Sequence, residues 1–293
     1  MSQARELANL RSIPTNGNIL LDFTSGDALQ AGGTCNIAAG LNSLGAATTG
    51  DDNIAIGRLA IGTGVTTGTG NIGLGISALS AVTGGTNNIS MGLTSADALL
   101  TGTDNIAIGR LSFSASTDGA DNIAIGRSAL AVSGNDGDTN IAIGLAALGT
   151  GDVAGAGNIG IGASALTALT GGTNNIAMGL TSADALLGGT DNVAIGRLSF
   201  SASTDGADNI AIGRSALAVS GNDADCNIAI GLSALGGADV SGLSNIAIGS
   251  LAADAVTAGV CNIAIGSNAY GVAAAGGLNI AIGSIAMGAA LVT

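Results

Sequence analysis

The string Asn-Ile-Ala-Ile-Gly, or a close variant, occurs fifteen times between Asn36 and Gly283, each copy beginning 17 or 18 residues after the one before. The copies open at Asn36, Asn53, Asn71, Asn88, Asn105, Asn122, Asn140, Asn158, Asn175, Asn192, Asn209, Asn227, Asn245, Asn262 and Asn279. A repeat this short and this strict implies a stack, in which each unit covers its apolar side with its neighbours. With 51 Gly, three Phe, one Tyr, no Trp and no His, the interior of such a stack has to be filled by small aliphatic side chains.

Counting the repeat Asn as position 1, Ile occupies positions 2 and 4 in most copies, Ala position 3 and Gly position 5. Strict alternation over positions 2 to 4 is the signature of a strand. The two Ile share one face, expected to fill the coil, and Ala takes the other, expected to point outward. Gly at position 5 marks a bend or a close backbone approach. A second short apolar segment follows at positions 7 to 9, as in Ser128-Ala129-Leu130, before a Gly/Thr/Asp-rich return to the next Asn. Helical arrays need about 33 to 47 residues per unit, and Gly at this density costs a helix about 1 kcal/mol each.

The expected fold is therefore all-β, a parallel β-solenoid or β-roll of about fifteen coils over residues 36–293. Each coil should supply two or three short strands, stacked about 4.8 Å apart into a rod of roughly 70 Å. Asn at position 1 predicts a ladder of side-chain amides up the stack, through Asn53, Asn105, Asn122, Asn192 and Asn209 among others. Residues 1–35 read as a separate attachment or assembly segment. Residues 90–136 recur almost letter for letter at 177–223, a five-coil duplication that lengthens a spacer and copies its surface.

Charged residues make up only 9% of the chain, and the apolar outer face, joined by Leu or Ile at position 6 in several coils, is suited to packing against another copy. A homo-oligomer, expected to be a trimer, follows. Arg stands at position 6 in five coils (Arg58, Arg110, Arg127, Arg197, Arg214), and the same five carry Asp just before the Asn (Asp52, Asp104, Asp121, Asp191, Asp208). Six residues of extended strand span about 20 Å, too far for a pair within one coil. The expectation is that each Arg meets the Asp of a neighbouring chain and sets the register of assembly. Cys35, Cys226 and Cys261 all precede a repeat Asn and read as small space-fillers far from one another.

The net charge of −13, with seven Arg, no Lys and no basic patch, argues against nucleic-acid binding. Gly, Asn, Ser or Asp interrupts every apolar run, so no membrane-spanning helix is expected. A membrane barrel would need longer strands and aromatic girdles. The opening segment has no continuous apolar run of a secretory signal, which predicts assembly in the cytoplasm. Without His, a Ser-His-Asp triad, a Cys-His pair and His-based metal sites are excluded. Neither a carboxylate cleft nor long loops are indicated, and no cofactor or enzymatic activity is expected. The acidic turns at 133–138 and 220–225 offer carboxylates that could meet Ca²⁺, but they lack the EF-hand and nonapeptide patterns and read as solvated turns.

The unit Asn-Ile-Ala-Ile-Gly-x-x-Ala-Leu resembles the head repeats of trimeric autotransporter adhesins, which also occur in bacteriophage tail fibres and spikes. The likeness covers residues 36–293, with a period longer than the usual adhesin unit. It implies a trimer of parallel β-rolls. A secretory signal, a coiled-coil stalk and an anchor barrel are not recognised in the sequence, which directs the resemblance to the phage fibre. On that reading residues 1–35 attach to a virion baseplate or adaptor, the solenoid meets a host-surface glycan, and the protein resides in the virion after assembly in the host cytoplasm. The alternative is an extracellular or virion filament subunit, stacked head to tail through uncapped solenoid ends.

Overall fold

A computed structural model describes residues 16–21, 24–27, 29, 32–132, 137–219, 224–237, 240–271 and 275–287. Among them the chain is an all-β parallel solenoid without helices, and its strands follow the repeat Asn one for one. The chain divides into two compact units, residues 1–142 and 143–293. In the first, parallel pairing runs from Ile37–Ala39 through Ile54–Ile56, Ile72–Leu74 and Ile89–Met91 to Ile106–Ile108 and Ile123–Ile125, position 2 on position 2 throughout. In the second, the same in-register pairing runs from Ile159–Ile161 to Ile280–Ile282.

The inter-coil bonds alternate in direction. Position 2 donates forward, as Ile54 N to Asn71 O at 2.8 Å, and the position 5 Gly donates backward, as Gly57 N to Ala39 O at 2.8 Å. Each coil is thus tied to both neighbours by the same few residues. Stacking does not begin at Asn36. Ile19–Leu20 pairs in parallel with Ile37–Ala39, and buried Asn18 accepts from Asn36 N at 2.8 Å. This extra coil escapes the pattern because Leu20 stands where the others carry Ala, Gly or Ser.

The strand faces are the reverse of the sequence expectation. Ala38, Ala55, Ala107 and Ala124 at position 3 are fully or almost fully buried, whereas the flanking Ile at positions 2 and 4 are half-buried or exposed. The reason is the narrowness of the coil. Where position 3 is Gly, an added methyl would already stand 3.0 Å from Ile61 Cγ1 at Gly73, and 3.3 Å from Leu148 Cγ at Gly160. Position 3 of these coils has no room for an Ile side chain.

Among the described residues each coil from Asn36 onward also contains one three-residue strand rather than the two or three expected. Positions 6 to 9 form a run of turns in which positions 7 and 9 are left-handed, as Leu59 (φ 59°) and Ile61 (φ 47°), Leu111 (φ 57°) and Phe113 (φ 49°). Such backbone costs a non-glycine residue about 1–2 kcal/mol. It is offset by inter-coil bonds that alternate: Leu59 N donates to Leu41 O at 2.9 Å in the preceding coil, and Ile61 N to Ala78 O at 2.9 Å in the next. The reward is burial, because position 9 delivers the largest interior side chains, Leu79, Leu130, Phe113 and Phe200 among them.

In four coils a large side chain at one of positions 9 and 12 goes with a small one at the other. Phe113 goes with Ser116 and Phe200 with Ser203, whereas Ala96 goes with Leu99 and Ala183 with Leu186, all buried. Ser116 Oγ also accepts from Gly119 N at 3.1 Å, so the small partner is satisfied. Phe113→Ala alone is expected to destabilise by about 3–5 kcal/mol through the cavity it leaves. Phe113→Ala with Ser116→Leu recreates the neighbouring arrangement, and thermal unfolding should show most of that loss restored. If the double variant is no more stable than the single, the two positions do not share one space.

Candidate functional site

Two features extend along each unit, one internal and one external. Internally, every repeat Asn within the described strands from Asn36 to Asn262 is buried. Its backbone N–H donates to the Oδ1 of the preceding Asn, as Asn53 to Asn36 at 2.9 Å, Asn122 to Asn105 at 3.0 Å, Asn192 to Asn175 at 3.1 Å and Asn209 to Asn192 at 3.0 Å. Its Nδ2 donates to a backbone carbonyl of the return segment, as Asn105 to Gly119 O at 2.7 Å. All amide groups point inward. The Asn column is therefore structural, and it carries no surface for a ligand.

Externally, positions 2 and 4 form two columns of apolar side chains. Ile56 is 44% exposed and Met91 40%, and position 6 adds Leu93 at 45%. Isolated exposed apolar residues need no explanation, but a repeated row does. The outer face is thus more apolar than the Ala face the sequence suggested, and the expected apolar outer stripe is present but formed by different residues.

Positions 0 and 6 lie just beyond the two ends of each strand. Arg58, Arg110, Arg127, Arg197 and Arg214 are exposed at one end, and Asp52, Asp104, Asp121, Asp191 and Asp208 at the other. Asp104 accepts from Asn87 Nδ2 at 3.2 Å and Asp191 from Asn174 Nδ2 at 3.1 Å, both at position 0 of the preceding coil. Position 0 is also left-handed, with φ near 57–58° in all five Asp. Cys35, Cys226 and Cys261 share that conformation and are exposed thiols, not interior fillers. Their side chains leave the coil because position 1, the next residue, points inward.

Position 10 carries Asp in three separate coils, as Asp97, its duplicate Asp184 and Asp254. Asp184 Oδ1 and Asp254 Oδ1 are buried without a hydrogen-bond partner. Burial raises the carboxyl of Asp97 and of Asp184 above the ordinary 3.8, against a smaller lowering by a backbone hydrogen bond. A raised folded value means that the protonated acid suits the fold better. That stabilisation is complete below the unfolded value and is lost as pH rises through the folded one. Asp184→Asn should accordingly raise the melting temperature at pH 7 and leave it nearly unchanged at pH 3. An equal effect at both pH values would remove ionisation as the cause.

In the acidic turns, Asp138 and Asp225 each accept a backbone N–H at 2.7 Å, from Ala120 and Ala207. Residues 133–136 and 220–223 of those turns lie outside the described residues. Among the described residues, no group of three His, Cys, Asp or Glu is placed to share a metal ion, and no helix is long and apolar enough to cross a membrane. No protein-family model matches the chain, and no curated protein matches its sequence.

Proposed function

We propose that this protein is a non-enzymatic structural fibre element that assembles with copies of itself through the outer Ile face. The observation that carries this reading is the row of half-buried to exposed Ile and Met at position 4, with Ile half-buried beside it at position 2, on a chain with few charges to keep such a face in water. The return segments are short and the interior is closed by Ala, Leu and Asn, which supports a scaffold more than a cleft for chemistry. The likeness to trimeric head repeats gives the specific form, a trimeric phage tail fibre or spike residing in the virion. There it would hold a baseplate or adaptor through its N-terminal segment and meet a host-surface glycan along the solenoid.

The test is mass in solution with electron microscopy of the same sample. Light scattering should give an integral multiple of 27.4 kDa, three for the trimer, and micrographs should show particles of uniform length. A monomeric mass at tens of micromolar would sink the assembly reading. Polymers of indefinite length would favour the head-to-tail filament instead.

A further inference from the structure

The charges at the two ends of the strand hold information about how copies are oriented, beyond the fact that they meet. In all fifteen coils position 0 is Asp where position 6 is Arg, and in the other ten both positions are uncharged, as in Asn87 with Leu93 and Cys226 with Leu232. Two of the five charged coils are copies produced by the duplication, which leaves three independent cases, all in the first unit: those of Asp52, Asp104 and Asp121.

Pairing within the chain does not account for the coincidence. The two positions sit at opposite ends of a strand, and stacking puts Asp beside Asp (Asp104, Asp121) and Arg beside Arg (Arg110, Arg127) in neighbouring coils. Like charges a strand spacing apart, about 4.8 Å, repel. The opposite charge must come from elsewhere.

Symmetry decides from where. The acidic column borders one edge of the Ile face and the basic column the other. If two copies are related by an axis perpendicular to the stacking direction, they run antiparallel and bring Asp to Asp or Arg to Arg. If the axis is parallel to the stacking direction, two-fold or three-fold, the Asp edge of each copy meets the Arg edge of the next, and the Ile faces turn inward and are covered. The coil pattern then fixes the axial offset. Within the first unit the charged coils are separated by three coils and then by one, and only zero offset pairs all three; any single shift pairs at most one.

We infer that copies of this chain associate in parallel and without axial shift around an axis along the stack, the Asp edge of one meeting the Arg edge of the next at the same coil. This rests on the self-assembly proposed above and adds orientation and register to it. The partner is a second copy of this chain, and the pairs named at Arg58 with Asp52, Arg110 with Asp104 and Arg127 with Asp121 are its alignment marks.

Disulfide trapping in the full chain tests it. Cys35, Cys226 and Cys261 are first changed to Ser, a residue that Ser244 already supplies at the same position with φ 58°. Asp52→Cys with Arg58→Cys is then added; Cys occupies position 0 natively, so the acidic site accepts it. Under mild oxidation, denaturing gels should show covalent multimers for this double variant, closing at a dimer for a two-fold and a trimer for a three-fold. Asp52→Cys alone and Arg58→Cys alone should stay single chains, as should Asp52→Cys with Arg110→Cys, three coils apart. Cross-linking by a single variant would overturn the parallel arrangement, and cross-linking by the offset pair would overturn zero shift. If the Cys-free chain has a multiple mass by light scattering but the double variant gives no covalent product, the inference fails and self-assembly stands. If that mass is one chain, self-assembly itself fails.

Discussion

Asn105→Asp is expected to be the most damaging single-atom-scale change in the first unit. Asn105 N donates to Asn88 Oδ1 at 3.1 Å, its Nδ2 donates to the same oxygen at 2.9 Å and to Gly119 O at 2.7 Å, and its Oδ1 accepts from Asn122 N at 3.0 Å. A carboxylate keeps only the last of these side-chain roles. The oxygen that replaces Nδ2 faces two oxygens already present, Asn88 Oδ1 and Gly119 O, at a residue that is 1% exposed. An unpaired buried charge costs about 3–5 kcal/mol, and the acid will respond by holding its proton. The deficit should therefore shrink as pH is lowered. Because coils are joined only to their neighbours, the loss should be local. Hydrogen exchange should reveal it as lost protection of Ile89, Ile106 and Ile123, with amides near Asn209 unaffected. Unchanged exchange around Asn105 would mean that the ladder is not a structural support.

Gly109→Ala should have an effect of similar size for a different reason. Gly109 has φ +133°, and a Cβ built there would lie 2.5 Å from Gly126 O and 2.7 Å from Gly126 C. Both contacts are backbone, so no rotamer change relieves them. The backbone conformation costs a non-glycine residue about 1–3 kcal/mol. Separating the coils would also weaken the bonds from Ile106 N to Asn122 O and from Gly126 N to Ile108 O, at about 1 kcal/mol each. A loss of roughly 3–5 kcal/mol is the sum. Gly171→Ala is the matched control, since nothing lies within 4 Å of the added methyl and its φ is not left-handed. It should change stability by less than about 1 kcal/mol. Equal melting temperatures for the two variants would refute the close-approach role of position 5.

Much of this was legible from the residues. The period gave the parallel stack, the alternation placed a strand on Ile106–Ile108 and its equivalents, Gly at position 5 announced the contact now seen between Gly109 and Gly126, and the invariant Asn announced the amide column. What could not be read was the sign of the alternation. Period two states that Ile106 and Ile108 share a face and Ala107 does not, but it does not state which face is inside. That depends on the room left by the return segment, and the return segment depends on left-handed backbone at residues such as Leu111 and Phe113, which sequence rules reserve for Gly and Asn. The same blind spot put Cys226 and Cys261 in the interior. The pairing of Phe113 with Ser116 and of Ala96 with Leu99 was also visible only once position 9 was known to turn inward.

The alternating direction of the inter-coil bonds has a mechanical consequence. Bonds such as Ile54 N to Asn71 O and Gly57 N to Ala39 O lie along the stack, so a pull on that axis strains the joint between two coils directly instead of sliding strands past each other. Within a unit the joints carry tension in series, and the weakest one parts first. Each coil that peels away releases 17 or 18 residues of slack, about 60 Å of extended chain. A single such chain yields stepwise under load, like a stitched seam, and lateral attachment to other copies is the route by which it could resist.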